Sequence, residues 1–84
     1  MNNDENNNYQ PISCELYSEY ELAIMHGQKI KLVWKEDGQI NIAYVTPLDL
    51  RTQEHQEFLI AQDHNQQLLR IRLDFIRSQE FIEQ

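Results

Sequence analysis

One cysteine, three histidines and a scatter of carboxylates are the side chains of this chain that could carry catalysis. Cys14 would need a histidine beside it to become a nucleophile. A helix start would help it, but no spacing brings His26, His55 or His64 near. Cys14 therefore reads as a small apolar residue that packs the helix start onto the rest of the fold. The histidines form no H-x-x-x-H pair and there is no second cysteine, so no metal site is expected. Glu19 and Glu21 stand two positions apart, roughly 200° around a helix, and cannot converge as an acid–base pair. Gly27 and Gly38 are isolated turn residues, not a phosphate-cradling loop. The sequence thus points to a binding protein: no catalytic residues, no cofactor and no metal are expected.

Charge says what it would bind. The formal net charge is −7. Residues 1–26 hold five acids (Asp4, Glu5, Glu15, Glu19, Glu21) and no lysine or arginine. All three lysines, Lys29, Lys31 and Lys35, fall in the next ten residues, and four arginines meet seven acids in residues 46–84. Nucleic-acid binders cluster lysine and arginine to neutralise phosphates. This balance is the reverse, and it favours a basic protein partner with no direct nucleic-acid binding. The runner-up is an RNA-binding module that uses the Lys29/Lys31/Lys35 strand face. Against it, Trp34 lies on the opposite face from the lysines, and lysines on an outer strand face commonly guard against edge-to-edge aggregation.

The elements that position these groups are readable from pattern. Pro11 keeps Gln10 extended, and Ser13 is an N-cap with Glu15 in the first helical turn. Leu16, Tyr20, Ala23 and Ile24 recur at helical spacing, and Gly27 is the left-handed stop, which predicts a helix over residues 14–26. Ile30, Leu32 and Trp34 alternate with the lysines as a half-buried strand. Glu36-Asp37-Gly38 turns it into a second strand over residues 39–45. Pro47 interrupts, and residues 49–56 read as a connection with one short strand. Residues 57–61 form a third strand, residues 63–66 a turn, residues 67–73 a fourth strand, and residues 74–77 a short fifth. The fold class expected is α+β, mainly β: an N-terminal helix capping a small antiparallel barrel.

At 84 residues the chain is expected to be one domain over residues 9–84. A domain of this size buries only about 60–65% of its unfolded surface. Residues 1–8 carry no apolar side chain after Met1 and read as a disordered tail. No apolar run approaches the ~18 residues of a membrane span. The polar start lacks a signal peptide's layout, and a lone cysteine suits a reducing compartment. A cytoplasmic protein that is monomeric when free is expected.

Two flanks of the helix remain for binding. Beside the apolar stripe, Tyr17, Ser18, Glu21 and Met25 form one contiguous patch, while Glu15, Glu19 and Leu22 lie on the other flank. An aromatic, a carboxylate and a flexible thioether together make a surface suited to a protein partner.

The stretch Tyr9-Gln10-Pro11-Ile12-Ser13-Cys14-Glu15-Leu16-Tyr17, running into Tyr20-Glu21-Leu22-Ala23, is followed by Asp37-Gly38, Asp49-Leu50 and Arg72-Leu73-Asp74-Phe75-Ile76. In that order it resembles the Rof (YaeO) family of bacterial Rho-binding antiterminators, over roughly residues 9–78. The resemblance implies an Sm-like β-barrel with an N-terminal helix. It implies a partner, the N-terminal RNA-binding domain of the termination factor Rho, gripped through this helix and a loop between strands. Tyr17 and Glu21 match the family's helix pattern, whereas Ser18 stands where relatives commonly have aspartate. The matching loop is Thr52-Gln53-Glu54-His55, with Arg51 just before it. The partner-binding residues expected are therefore Tyr17, Ser18, Glu21, Met25, Arg51, Gln53, Glu54 and His55.

Overall fold

The computed structural model describes residues 8–83. Residues 1–7 and residue 84 lie outside the described residues, and with them all but Asn8 of the tail expected at residues 1–8.

An extended lead turns into helix α1, Cys14–His26, at Ser13. The Ser13 Oγ accepts the Leu16 N–H at 3.1 Å, which satisfies one of the helix's open donors. Gly27 takes the left-handed φ of 62° that ends the helix. The N–H groups of Gly27 and Gln28 then donate back to the carbonyls of Ile24 and Ala23 at 3.3 and 2.9 Å. Tyr20 and Ala23 are fully buried, and Leu16 and Ile24 pack half-buried against the same core. Tyr20 donates its hydroxyl to Gln79 Oε1 at 3.3 Å and tilts against the Phe81 ring at 5.9 Å. Cys14, expected to pack, is exposed. It lies roughly 130° around the helix from the middle of the apolar stripe, out of the core's reach.

Strand β1, Ile30–Glu36, buries Ile30, Leu32 and Trp34 as the alternation requires. A two-residue turn at Asp37 and Gly38, both left-handed at φ 53° and 77°, leads into β2.

Strand β2 runs Gln39–Gln53, 15 residues. This corrects the expectation of a connection after Pro47. The pairing register shifts between Pro47 and Asp49, so Leu48 is an extra residue, while Pro47 itself is buried. Such a bulge accommodates proline and bends the strand. The first half of β2 pairs with β1 and the second half with β3, Gln56–Gln62.

The β2–β3 turn holds Glu54 and His55 at φ 53° and 64°. Neither is the Gly, Asn or Asp that announces such a turn, so the hairpin was illegible in the sequence. A side chain in that region costs about 1–2 kcal/mol. His55→Gly is expected to raise the thermal midpoint, by about 4–8 °C for each kcal/mol relieved. Thermal denaturation followed by circular dichroism measures it, and a lowered midpoint would show that His55 is not strained.

Strand β4, Leu68–Arg72, a 3₁₀ turn at Leu73–Phe75 and β5, Ile76–Phe81, complete the described chain. Asp74 and Phe75 belong to the 3₁₀ turn, so β5 begins later and extends further than expected. The turn carries β5 to the free edge of β1, and the strand order is β4-β3-β2-β1-β5. β4 and β5 are the two edges of an open sheet, not neighbours in a closed barrel. The fold is α+β and mainly β, with one helix packed on a five-stranded antiparallel sheet. No helix among the described residues is long and apolar enough to cross a membrane.

Candidate functional site

Helix α1 leaves an open groove against the second half of β2. Tyr17, Glu21, Leu22 and Met25 line it from the helix, with Asp49 and Leu50 opposite. Its volume is about 620 Å³. Leu50 and Ile24 are half-buried along it, while Leu22 and Met25 are 51% and 73% exposed. Ser18 lies on the same wall. Four expected residues, Tyr17, Ser18, Glu21 and Met25, are therefore brought together. Leu22 joins them, contrary to its assignment to the flank of Glu15 and Glu19, because it stands only ~60° from Met25 around the helix.

A second hollow of about 360 Å³ shares Tyr17 and Ser18 and extends to Ile12, Cys14 and Glu57. Tyr17 thus sits where the two hollows meet, and carboxylates surround it. Its hydroxyl is pushed above the ordinary range first by burial, then by the charges of Glu57, Glu21 and Asp49. The Asp49 carboxyl is held below its usual range chiefly by the Arg51 guanidinium, which donates to it at 2.9 Å. Arg51 reaches the site through that bond. No lysine lines either hollow. The surface offered is apolar at the base and acidic at the rim.

Gln53, Glu54 and His55 do not line the groove. They stand exposed at the tip of the β2–β3 hairpin. Alternation along β2 puts Gln53 on the face opposite Leu50. There it accepts a hydrogen bond from Arg70, which stacks on the Phe58 ring at 3.9 Å. Sequence reasoning missed Asp49, Leu50, Glu57 and Cys14. For Cys14 a signal existed, since its helical angle falls between those of Tyr17 and Met25. Asp49 and Leu50 were hidden by reading residues 49–56 as a connection. For Glu57, nothing in the sequence pointed to the helix.

The stretches at residues 9–17 and 72–76 meet in space and anchor the lead. Tyr9 donates its hydroxyl to Glu57 Oε1 at 2.8 Å, and the Gln10 N–H donates to Asp74 Oδ2 at 3.1 Å. Arg72 donates to both Asp74 oxygens at 2.7 Å and stacks over Phe75 and Tyr9 at 4.4 and 5.7 Å. Burial works to raise the Asp74 carboxyl, but Arg72 and the Gln10 N–H outweigh it and hold it low. A carboxyl depressed on folding stabilises the fold above its unfolded pKa, and that share is lost as pH falls through the lower folded value. In acid titrations of urea stability, Asp74→Asn should therefore flatten the decline seen below the ordinary carboxylate range. An unchanged acid limb would mean the pair does not support the fold.

Among the described residues, no group of three or more His, Cys, Asp or Glu side chains could hold a metal ion. No family model matches the chain, and no curated protein matches it. Among solved structures, it is similar to part of the Proteasome accessory factor B/C (PafBC) of Arthrobacter aurescens, with a TM-score of 0.71 and 23% identity. The match covers 86% of this chain but spans only 12% of that one. At that identity the likeness shows the fold alone.

Proposed function

We propose that this protein is a non-enzymatic inhibitor of the transcription termination factor Rho, acting by antitermination. The α1–β2 groove docks on Rho's N-terminal RNA-binding domain and blocks primary RNA capture. The observation that carries the reading is the gathering of Tyr17, Ser18, Glu21 and Met25 along one groove, with Glu21, Asp49 and Glu57 around Tyr17. Tyr17 and Glu21 are also the helix residues matching the Rof (YaeO) pattern. By that resemblance, Rho captures RNA on basic, aromatic-lined sites, which an acidic module can cover sterically and by charge. Complementary charge chiefly raises the association rate and its salt sensitivity. The bent, open sheet with its N-terminal helix is, on this reading, an Sm-like barrel. The protein acts in the cytoplasm and as a monomer when free.

Fluorescence anisotropy of a labelled RNA on Rho tests the mechanism. RNA should leave Rho as the protein is added, with a weaker effect at high salt. RNA that stays bound while the protein co-sediments with Rho would rule out competition. A control titration of the same RNA with the protein alone separates capture of the RNA from occlusion of Rho.

A further inference from the structure

A third hollow lies outside the groove, and it carries a lysine and a histidine where the groove's charged residues are all acids. It is an open cleft of about 240 Å³, where the start of β1, the middle of β2 and the β3–β4 turn come together. Lys29, Tyr44, Thr46, Gln62 and His64 line it. Tyr44 is 55% exposed and presents its ring on the lysine side of the hairpin, with Lys31 Nζ 5.8 Å from the ring centre. The cleft has one carboxylate, Asp63, whose Oδ1 is committed to the turn; it keeps its charge, which Lys29 in the cleft and Lys31 beside Tyr44 outnumber. That oxygen accepts the N–H groups of Asn65 and Gln67, both at 2.9 Å, and so serves to close the turn. Gln62 Nε2 donates across the same turn to the Gln66 carbonyl at 3.2 Å, which ties the cleft's outer wall to β3. The backbone of Lys29 is fixed by its carbonyl, which accepts the Ile82 N–H at 2.9 Å. The cleft therefore joins a cation, an imidazole, a hydroxyl and an aromatic plane, with a second cation on that plane.

Aromatic planes hold bases by stacking, and nearby cations hold the attached phosphate. The net charge of −7 does not forbid this, because salt screens exposed charges beyond about 8–10 Å. Ligand pockets usually measure about 300–1,000 Å³. A cleft of 240 Å³ suits one nucleotide unit, not a longer buried segment. We propose that this cleft binds a nucleotide, with the base on Tyr44 and the phosphate between Lys29 and His64. The nucleotide can be a free monophosphate or one unit of a single-stranded RNA. The site lies apart from the groove assigned to Rho and stands or falls independently of it.

Amide NMR titrations of the full chain with uridine monophosphate, an oligouridylate and inorganic phosphate test it. The amides of Lys29, Tyr44 and His64 should move with one or both of the uridine ligands. Equal response to both marks a free nucleotide as the source, and response to the oligouridylate alone marks a strand. Stacking on one aromatic ring is worth roughly a 5- to 150-fold change in affinity, so Tyr44→Ala should weaken binding by about tenfold or more. Lys29→Glu should weaken it too and make the remainder less salt-dependent. The amide spectrum of each variant reports whether it has folded, and either variant alone suffices if the other has not. Phosphate that binds as tightly as the nucleotides, affinity that ignores Tyr44 and Lys29, or no movement of these amides overturns the proposal.

Discussion

Trp34→Ala is expected to cost on the order of 3–5 kcal/mol, the range for emptying a large aromatic site in a core. Small domains hold only about 5–15 kcal/mol in all, so this one change approaches the whole. The size of the effect follows from position. Trp34 is 7% exposed and shares its strand face with Ile30 and Leu32, which are fully buried. Its strand is interior to the sheet, and Trp34 pairs with Asn41 on one side and Ile76 on the other. A void there is walled by strands on both sides, although the β1–β5 register shifts between Val33 and Trp34. Trp34→Phe, which keeps a ring, should lose less. Urea denaturation followed by circular dichroism measures both, and a near-wild-type midpoint for Trp34→Ala would mean the core does not depend on the indole.

Glu21→Lys and Tyr17→Ala should each abolish or strongly weaken Rho binding while leaving the circular dichroism spectrum nearly unchanged. The two residues stand one helical turn apart, so one partner surface can touch both. Glu21 is exposed, so its reversal leaves the core intact, whereas Tyr17 is half-buried against the core and Tyr17→Ala also costs some stability. Losing a charged contact at an interface typically costs about 2–5 kcal/mol when the contact is buried, and much less at the rim. Glu21→Lys also reverses the charge in the ring of carboxylates around Tyr17. Glu15→Lys, on the other flank, should do less. Should Glu15→Lys abolish binding and Glu21→Lys spare it, the contact face is the wrong flank. Ser18→Asp adds a carboxylate to the same wall and should tighten binding. That gain is the sharper result, since damage to folding cannot imitate it.

The sequence announced what local chemistry decides. Ser13 and Gly27 bound the helix because capping is a property of a few adjacent residues. The faces of β1 were legible because Ile30, Leu32 and Trp34 alternate without interruption. β2 was cut short because Pro47 normally ends a strand, and only pairing with β3 shows that a bulge at Leu48 absorbs it. Whether the five strands close into a barrel is not legible in the sequence, because strand count and spacing say nothing about which edges meet; β4 and β5 are the sheet's two edges. One wall of the groove follows from helix periodicity, since Tyr17, Ser18, Glu21 and Met25 share a flank. The other wall comes from residues far along the chain, and Asp49 and Leu50 line the groove only because β2 continues through its bend.

That continuity decides how the molecule can come apart. Because β2 is one strand that pairs with β1 before the bulge and with β3 after it, the sheet has no seam at which two halves could separate. Each arm of β2 is held by a different neighbour, so the two ladders are coupled through one continuous strand. Asp49 and Leu50 follow Leu48 directly, so the groove wall opposite α1 begins at the bulge, and the bend sets where that wall stands.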